Sequence, residues 1–164
     1  MLKQIAVAIF LLLTFCCSAQ SNKPFALLKD NKVLFTIDTV SYKRKLESKL
    51  FSDKKVVLSK IEIVKQKSLV ENSDFYYILL TSKDKKIKVA RWLIKAGTSY
   101  YVNDELEEGV LFEQSYLVCE GGDTCNPQVY IDGKIRRWGC SETIACYADG
   151  QKPECPSIMT YIEP

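Results

Sequence analysis

Five cysteines near the C-terminus are the residues of this chain best suited to chemistry. They are Cys119, Cys125, Cys140, Cys146 and Cys155, and the chain contains no histidine that could assist them. Zinc ligands usually come as cysteine pairs about two to four residues apart, so the wider Cys-x5-Cys spacing found here fits zinc poorly. Iron–sulfur clusters are disfavoured by the same spacing. We therefore predict no metal site and no cofactor.

A redox role for these cysteines is also disfavoured. Dithiol oxidoreductases carry a Cys-x-x-Cys motif whose first thiolate is stabilised by its surroundings, and this chain has no such motif. The cysteines instead lie in a segment rich in glycine and proline, which can bury little apolar area. Structural disulfides are expected there, because each cross-link typically stabilises a fold by about 2–4 kcal/mol.

The pairing of the five cysteines stays open at the level of sequence, because an odd number leaves one thiol over. The two equal spacings favour local bonds, Cys119–Cys125 and Cys140–Cys146, which would leave Cys155 unpaired. The alternative is a crossed pattern, Cys119–Cys140 with Cys125–Cys146, which would clamp two adjacent strands together.

Other catalytic patterns are missing from the sequence. Without histidine there is no Ser-His-Asp triad and no Cys-His pair. The sequence also lacks the two glycine-rich motifs that bind nucleotides, the Walker-type Gly-Lys-Ser/Thr loop and Gly-x-Gly-x-x-Gly after a strand. An acidic run, Asp104, Glu105, Glu107 and Glu108, has the composition of a solvated loop and lacks the alternating ligand pattern of a calcium site. We expect a protein that is not an enzyme; the alternative is a small secreted enzyme that uses carboxylates or the spare thiol.

The N-terminus predicts export. Lys3 precedes an apolar run that ends before Cys17-Ser18-Ala19, the pattern of a secretory signal peptide over residues 1–19. We therefore expect a secreted or periplasmic protein that begins at Gln20. The alternative is a lipoprotein in which Cys16 or Cys17 carries a lipid anchor.

The charge pattern does not indicate nucleic-acid binding. Lysines are spread along the alternating segments of residues 20–118, whereas nucleic-acid surfaces carry a dense basic stripe. No segment after residue 20 is apolar over the roughly 20 residues that a membrane-spanning helix needs. We expect the partner to be a protein.

The hydrophobic pattern predicts an α+β fold. Tyr42, Leu46 and Leu50 recur every four residues, which indicates an amphipathic helix that starts at Asp38 or Thr39. A series of predicted strands follows, joined by short polar turns that suit antiparallel neighbours. We predict one domain over 20–164. In it, residues 20–118 form a helix packed on a curved, roll-like antiparallel meander sheet, and residues 119–164 form a disulfide-stapled hairpin and loop segment.

The C-terminal segment contains the predicted binding loop. Short apolar runs flank Asp132-Gly133, a strong signal for a two-residue hairpin turn. On the return arm, Arg136, Arg137 and Trp138 are residue types that dominate binding hot spots. For Trp138 itself we favour a packing role beneath the neighbouring disulfide, with the arginines facing water, over exposure in a recognition patch. We expect an exported binding or inhibitor-like module that uses this tip and the loops around Gly121 and Asp149.

Overall fold

The computed structural model describes residues 23–103, 111–122, 124–141 and 155–161. The expected signal peptide, the acidic run at 104–108, Cys146 and the loop around Asp149 lie outside these ranges. The described part is mostly β-sheet with two short helices. Its elements, in chain order, are β1 (Ala26–Lys29), β2 (Lys32–Phe35), α1 (Thr39–Leu50), β3 (Leu58–Lys67), β4 (Leu69–Val70), β5 (Asp74–Ser82), β6 (Ile87–Ala96), β7 (Ser99–Tyr101), α2 (Leu111–Gln114), β8 (Ser115–Glu120), β9 (Pro127–Asp132), β10 (Ile135–Cys140) and β11 (Ser157–Tyr161).

Eight strands form one large antiparallel sheet. Strands β3, β5 and β6 are neighbours in that order, as the short polar turns between them predicted. The order then departs from a simple meander, because β6 pairs with β8 through its first half and with β7 through its end. The physical reason is that β7 has three residues and covers only the end of β6, which has ten. The first half of β6 is therefore open to pairing with β8. Strand β11 continues from β8, and the β1–β2 hairpin continues from β7.

The centre of the large sheet, at β5, is buried on both faces. Along β5, Phe75 and Tyr77 belong to one core cluster, whereas Ile78 and Leu80 belong to a second. Successive side chains of a strand point to opposite faces, so the two clusters lie on opposite sides of the sheet. We call them the hairpin-side cluster, which contains Phe75, and the helix-side cluster, which contains Ile78. Burial on both faces explains why the sequence of β5 is an unbroken apolar run.

Helix α1 begins where the sequence predicted. The Asp38 carboxylate accepts hydrogen bonds from the backbone N–H groups of Val40 and Ser41, at 2.9 and 3.3 Å, and so caps the first turn. Leu46 is fully buried in the helix-side cluster, with Tyr42 and Leu50 packed against it. The four-residue apolar period therefore marks the face that contacts the sheet.

A second, three-stranded sheet packs on the face of the large sheet that carries the hairpin-side cluster. Strands β9 and β10 form the predicted hairpin, and β4 pairs with β9 in parallel. The turn lies one residue later than predicted, because Asp132 still pairs with Ile135 and the loop is Gly133-Lys134. Gly133 has φ +57°, so the glycine occupies the first turn position, where a two-residue hairpin of this kind needs positive φ.

Two disulfides connect the two sheets. Cys119 in β8 is bonded to Cys140 in β10, and Cys125, just before β9, is bonded to Cys155, just before β11. All four lie in the hairpin-side cluster. Such bonds are characteristic of proteins in oxidising extracellular or periplasmic environments.

The local pairing favoured by the sequence is therefore wrong. The crossed alternative is right for Cys119–Cys140, but Cys125 bonds to Cys155 rather than to Cys146. The reason lies in the sheet: β11 runs antiparallel to β8 with Ser157 opposite Cys119, which carries Cys155 into the same cluster. Equal sequence spacing could not reveal this long-range neighbour.

Candidate functional site

Trp138, the aromatic residue of the predicted binding loop, is half-buried in the hairpin-side cluster. Its ring stacks on that of Phe112, with centroids 5.2 Å apart, and its Nε1 donates to the Phe112 carbonyl oxygen at 3.3 Å. It also makes edge-to-face ring contacts with Phe75, Tyr77 and Trp92. Trp138 thus packs among aromatic rings and anchors the hairpin to the large sheet.

The two arginines of the hairpin belong to opposite faces of the small sheet. Arg136 lies opposite Ile131 and forms an ion pair with Glu113 at 2.6 Å, with its guanidinium 5.8 Å from the Trp92 ring centre. Arg137 lies opposite Tyr130 and is exposed. Of the predicted patch, Arg137 and the tip lie on the outer face of the small sheet, whereas Arg136, which is also exposed, is paired with Glu113.

The tip of the hairpin is held by a turn from the large sheet. The backbone N–H of Gly133 donates to the Glu71 carboxylate at 2.6 Å. Beside it, the Tyr130 hydroxyl donates to the Asp132 carboxylate at 3.2 Å, and this hydrogen bond raises the pKa of Tyr130. Asp132 and Gly133 are therefore parts of a fixed tip.

The turn between β3 and β5, residues Ser68 to Ser73, carries an unusual backbone conformation. Val70 has φ +76°, and the N–H of Glu71 donates to the carbonyl oxygen of Leu69 at 3.2 Å. A hydrogen bond across one residue of positive φ defines a γ-turn of the rare, strained kind. Positive φ is a true outlier for a β-branched residue, and such strain costs about 1–3 kcal/mol.

This strained turn presents an exposed apolar side chain beside the hairpin. Val70 is 67% exposed and Ile135, at the start of β10, is 48% exposed. Strands β4 and β10 flank β9 on its two sides, so both residues belong to the same small sheet. We call the Ser68–Ser73 turn together with the β9–β10 tip the hairpin end. Val70 and Ile135 were missed in the sequence, where neither differs from an ordinary strand residue.

A series of hydrogen-bonded side chains links the two sheets next to the hairpin-side cluster. The Tyr77 hydroxyl donates to the Gln66 side-chain oxygen at 2.9 Å, and the Gln66 amide nitrogen donates to the Gln128 oxygen at 2.6 Å. Burial, with a smaller contribution from Glu62, raises the pKa of Tyr77 to about 12. This phenol therefore stays protonated at neutral pH and serves as a donor, which suits a structural link and not an activated base.

A cavity of about 520 Å³ lies on the other side of the large sheet, next to the start of α1. The buried Arg91 guanidinium donates to the Tyr116 hydroxyl at 2.7 Å and to the Asn103 carbonyl at 2.9 Å. The Tyr116 and Tyr42 hydroxyls are hydrogen-bonded at 3.1 Å. These contacts tie polar groups of the cavity lining to one another. The apolar part of the lining is Phe25, Ile37, Leu46 and Val102.

Three further findings concern the described residues. Within 23–103, 111–122, 124–141 and 155–161, no three potential metal-ligating side chains converge on one point. Neither of the helices in these ranges is long and apolar enough to cross a bilayer. Four of the five predicted disulfide cysteines are bonded to each other.

Comparison with known proteins adds no assignment. Searches against protein-family models, curated protein sequences and solved structures find no match to this chain. Any functional proposal therefore depends on the physical features of the chain itself.

Proposed function

We propose that this chain is an exported, non-enzymatic binding module that contacts a protein partner through the hairpin end. The observation that carries the proposal is Val70, a β-branched residue kept in a strained γ-turn with two thirds of its surface exposed. Strain of this kind accumulates where a fold holds a side chain for a purpose. No packing role explains Val70, since a side chain so exposed buries little.

Other residues of the hairpin end support recognition of a protein. Ile135 is a second exposed apolar side chain there, and it shares one face of the small sheet with Tyr130 and Arg137, which are residue types enriched at protein interfaces. The turn and the tip hold each other through the β4–β9 pairing and the Glu71–Gly133 hydrogen bond. A surface that is already ordered loses little conformational entropy when it binds.

Export and the wider architecture form part of the same proposal. The signal-peptide pattern at 1–19 and the two disulfides favour secretion or transfer to the periplasm. The residues from 20 onward would form one domain whose large sheet curves around α1 as a roll. In this arrangement the disulfides would brace the hairpin end against the large sheet.

The test is quantitative capture of a partner from the extracellular or periplasmic fraction. The double variant Val70→Gly with Ile135→Ser should lose a partner that the wild-type chain captures, because both exposed apolar contacts are removed. Leu34→Ser is the matched control, since Leu34 is also 48% exposed but lies on β2. It should capture the partner as the wild type does.

Two results would contradict the proposal. One is equal capture by the wild type and the double variant, which would place the contact elsewhere. The other is a thiol titration of the native chain that finds one activated cysteine with a lowered pKa, because that outcome favours the enzyme alternative.

A further inference from the structure

Two lysine-rich segments that are far apart in the sequence meet at one end of the large sheet. Lys54 and Lys55 follow α1, whereas Lys83, Lys85 and Lys86 form the turn between β5 and β6; all five are exposed. The backbone N–H of Lys83 donates to the carbonyl oxygen of Val57 at 2.8 Å and joins the two segments. We call these five residues and the groove between them the lysine end.

The β5–β6 turn is built to present its lysines. The Asp84 carboxylate accepts hydrogen bonds from the Ser82 hydroxyl at 2.6 Å and from the Lys86 backbone N–H at 3.2 Å. These bonds, the Ser82 bond first, lower the pKa of Asp84. The carboxylate is therefore engaged in holding the turn. Lys85 has φ +60° at the tip.

A groove of about 620 Å³ separates the two segments. Its lining combines lysines with apolar side chains, among them Val56, Ile87 and Val57, which is 47% exposed. Of the five lysines, Lys54 is ion-paired with Glu120. The lysine end thus combines a cationic rim with an accessible apolar floor.

We propose that the lysine end docks on an anionic lipid surface. Clustered lysines beside a membrane are attracted to acidic headgroups, which strengthens binding about fivefold for each lysine near the surface. An exposed apolar residue among them, here Val57, can enter the headgroup boundary. This association is peripheral and does not rest on the proposed binding of a protein partner.

The chemistry of the cations favours lipid over an acidic peptide. All five are lysines, and the four arginines Arg44, Arg91, Arg136 and Arg137 lie elsewhere in the chain. Planar, bidentate recognition of carboxylates is the property of arginine, whereas the lysine ammonium is a compact, hydrated point charge on a flexible stem. Such charges suit the diffuse field of a fluid headgroup layer.

The geometry also fixes the orientation of the docked protein relative to the membrane. The lysine end and the Ser68–Ser73 turn lie at opposite ends of nine-residue β5, which spans roughly 30 Å at about 3.3 Å per residue. Docking through the lysines therefore leaves the hairpin end directed away from the membrane.

The experiment measures vesicle binding by the protein purified from cells that express the full chain. Vesicles of phosphatidylcholine alone are compared with vesicles that contain equal parts of phosphatidylcholine and phosphatidylglycerol. The readout is the ratio of the two partition coefficients, because any apolar N-terminal segment contributes to both. Lys55→Gln with Lys83→Gln should lower binding to the anionic vesicles roughly 30-fold, and salt should weaken wild-type binding.

The matched control is Lys29→Gln with Lys32→Gln. These exposed lysines face each other in the β1–β2 hairpin, which joins the sheet at the opposite end of β6 from the lysine turn. The control makes the same change in net charge, and it should bind within about twofold of wild type by the same arithmetic. Thermal unfolding of each variant establishes that the fold is kept.

Three outcomes overturn the proposal. They are equal binding to both kinds of vesicle, equal losses in the two double variants, and retention on soluble polyglutamate without vesicle binding. The last would assign the lysine end to an acidic polypeptide. None of these outcomes bears on capture through Val70, so the two proposals fail separately.

Discussion

At the scale of single residues, Val70 shows how a local conformation can be held by its neighbours. Its backbone lies in the left-handed region, where valine is disfavoured. Two contacts keep it there: the Leu69–Glu71 hydrogen bond of the γ-turn and the parallel pairing with Ile131 in β9. Because the Val70 side chain is mostly exposed, its own packing does not offset the strain of its backbone. Relieving that strain should therefore change the free energy of unfolding measurably.

Val70→Gly should therefore stabilise the fold. Glycine adopts positive φ without steric cost, and the relief of strain outweighs its greater freedom in the unfolded chain. We expect the free energy of unfolding to rise by about 1 kcal/mol, measured by urea denaturation. Val57→Gly is the control: Val57 is exposed but has no positive φ, so this substitution should lower stability. A loss of stability in Val70→Gly would show that the turn is not strained.

At the scale of elements, α1 illustrates how a carboxylate cap makes helix stability depend on pH. Hydrogen bonds from Ser41, first from its hydroxyl and then from its backbone N–H, lower the pKa of Asp38. A carboxyl group whose pKa is lower in the folded state stabilises the fold above its unfolded pKa, about 3.9. That contribution is lost as the pH falls through the folded pKa.

Asp38→Ala should lower the midpoint of thermal unfolding at pH 7, because the first turn loses its acceptor. The difference from wild type should shrink as the pH is lowered below about 3.9. Asp38→Asn provides the comparison, since its amide oxygen can still cap the helix but does not titrate. A difference between alanine and wild type that is unchanged down to about pH 2 would contradict this role of the carboxylate.

At the scale of the whole molecule, the disulfides join the small sheet to the large one across a single aromatic core. Cys119–Cys140 links β8 to β10, and Cys125–Cys155 ties the start of β9 to the start of β11. The helix-side cluster contains neither bond. Reduction should consequently loosen the hairpin end first.

Cys119→Ser with Cys140→Ser should lower the free energy of unfolding by about 2–4 kcal/mol. Because Trp138 and Trp92 lie in the cluster that the bond braces, the near-UV circular dichroism should weaken more than the far-UV signal. Cys146→Ser is the control and should leave both bonds and both spectra intact. Peptide mapping under non-reducing conditions should recover the 119–140 and 125–155 pairs; recovery of 119–125 would refute this connectivity.

Much of the candidate site depended on contacts that local sequence rules do not encode. The hairpin could be predicted from Asp132-Gly133, but the side on which Trp138 lies depended on the aromatic rings of β5, β6 and α2. The same holds for the lysine end. In the sequence its two segments resemble ordinary solubilising charges, and they become neighbours only because the start of β3 pairs with the end of β5.

The sequence by itself determined the features that arise within a few neighbouring residues. These are the period of α1, its cap at Asp38, the antiparallel strands between polar turns and the presence of a stapled hairpin. Only the tertiary structure decided the cysteine pairing, the strained turn at Val70 and the opposition of the hairpin end to the lysine end. The physical reason is that these depend on which distant strands become neighbours, and cysteine spacing and single-residue preferences carry no information about that.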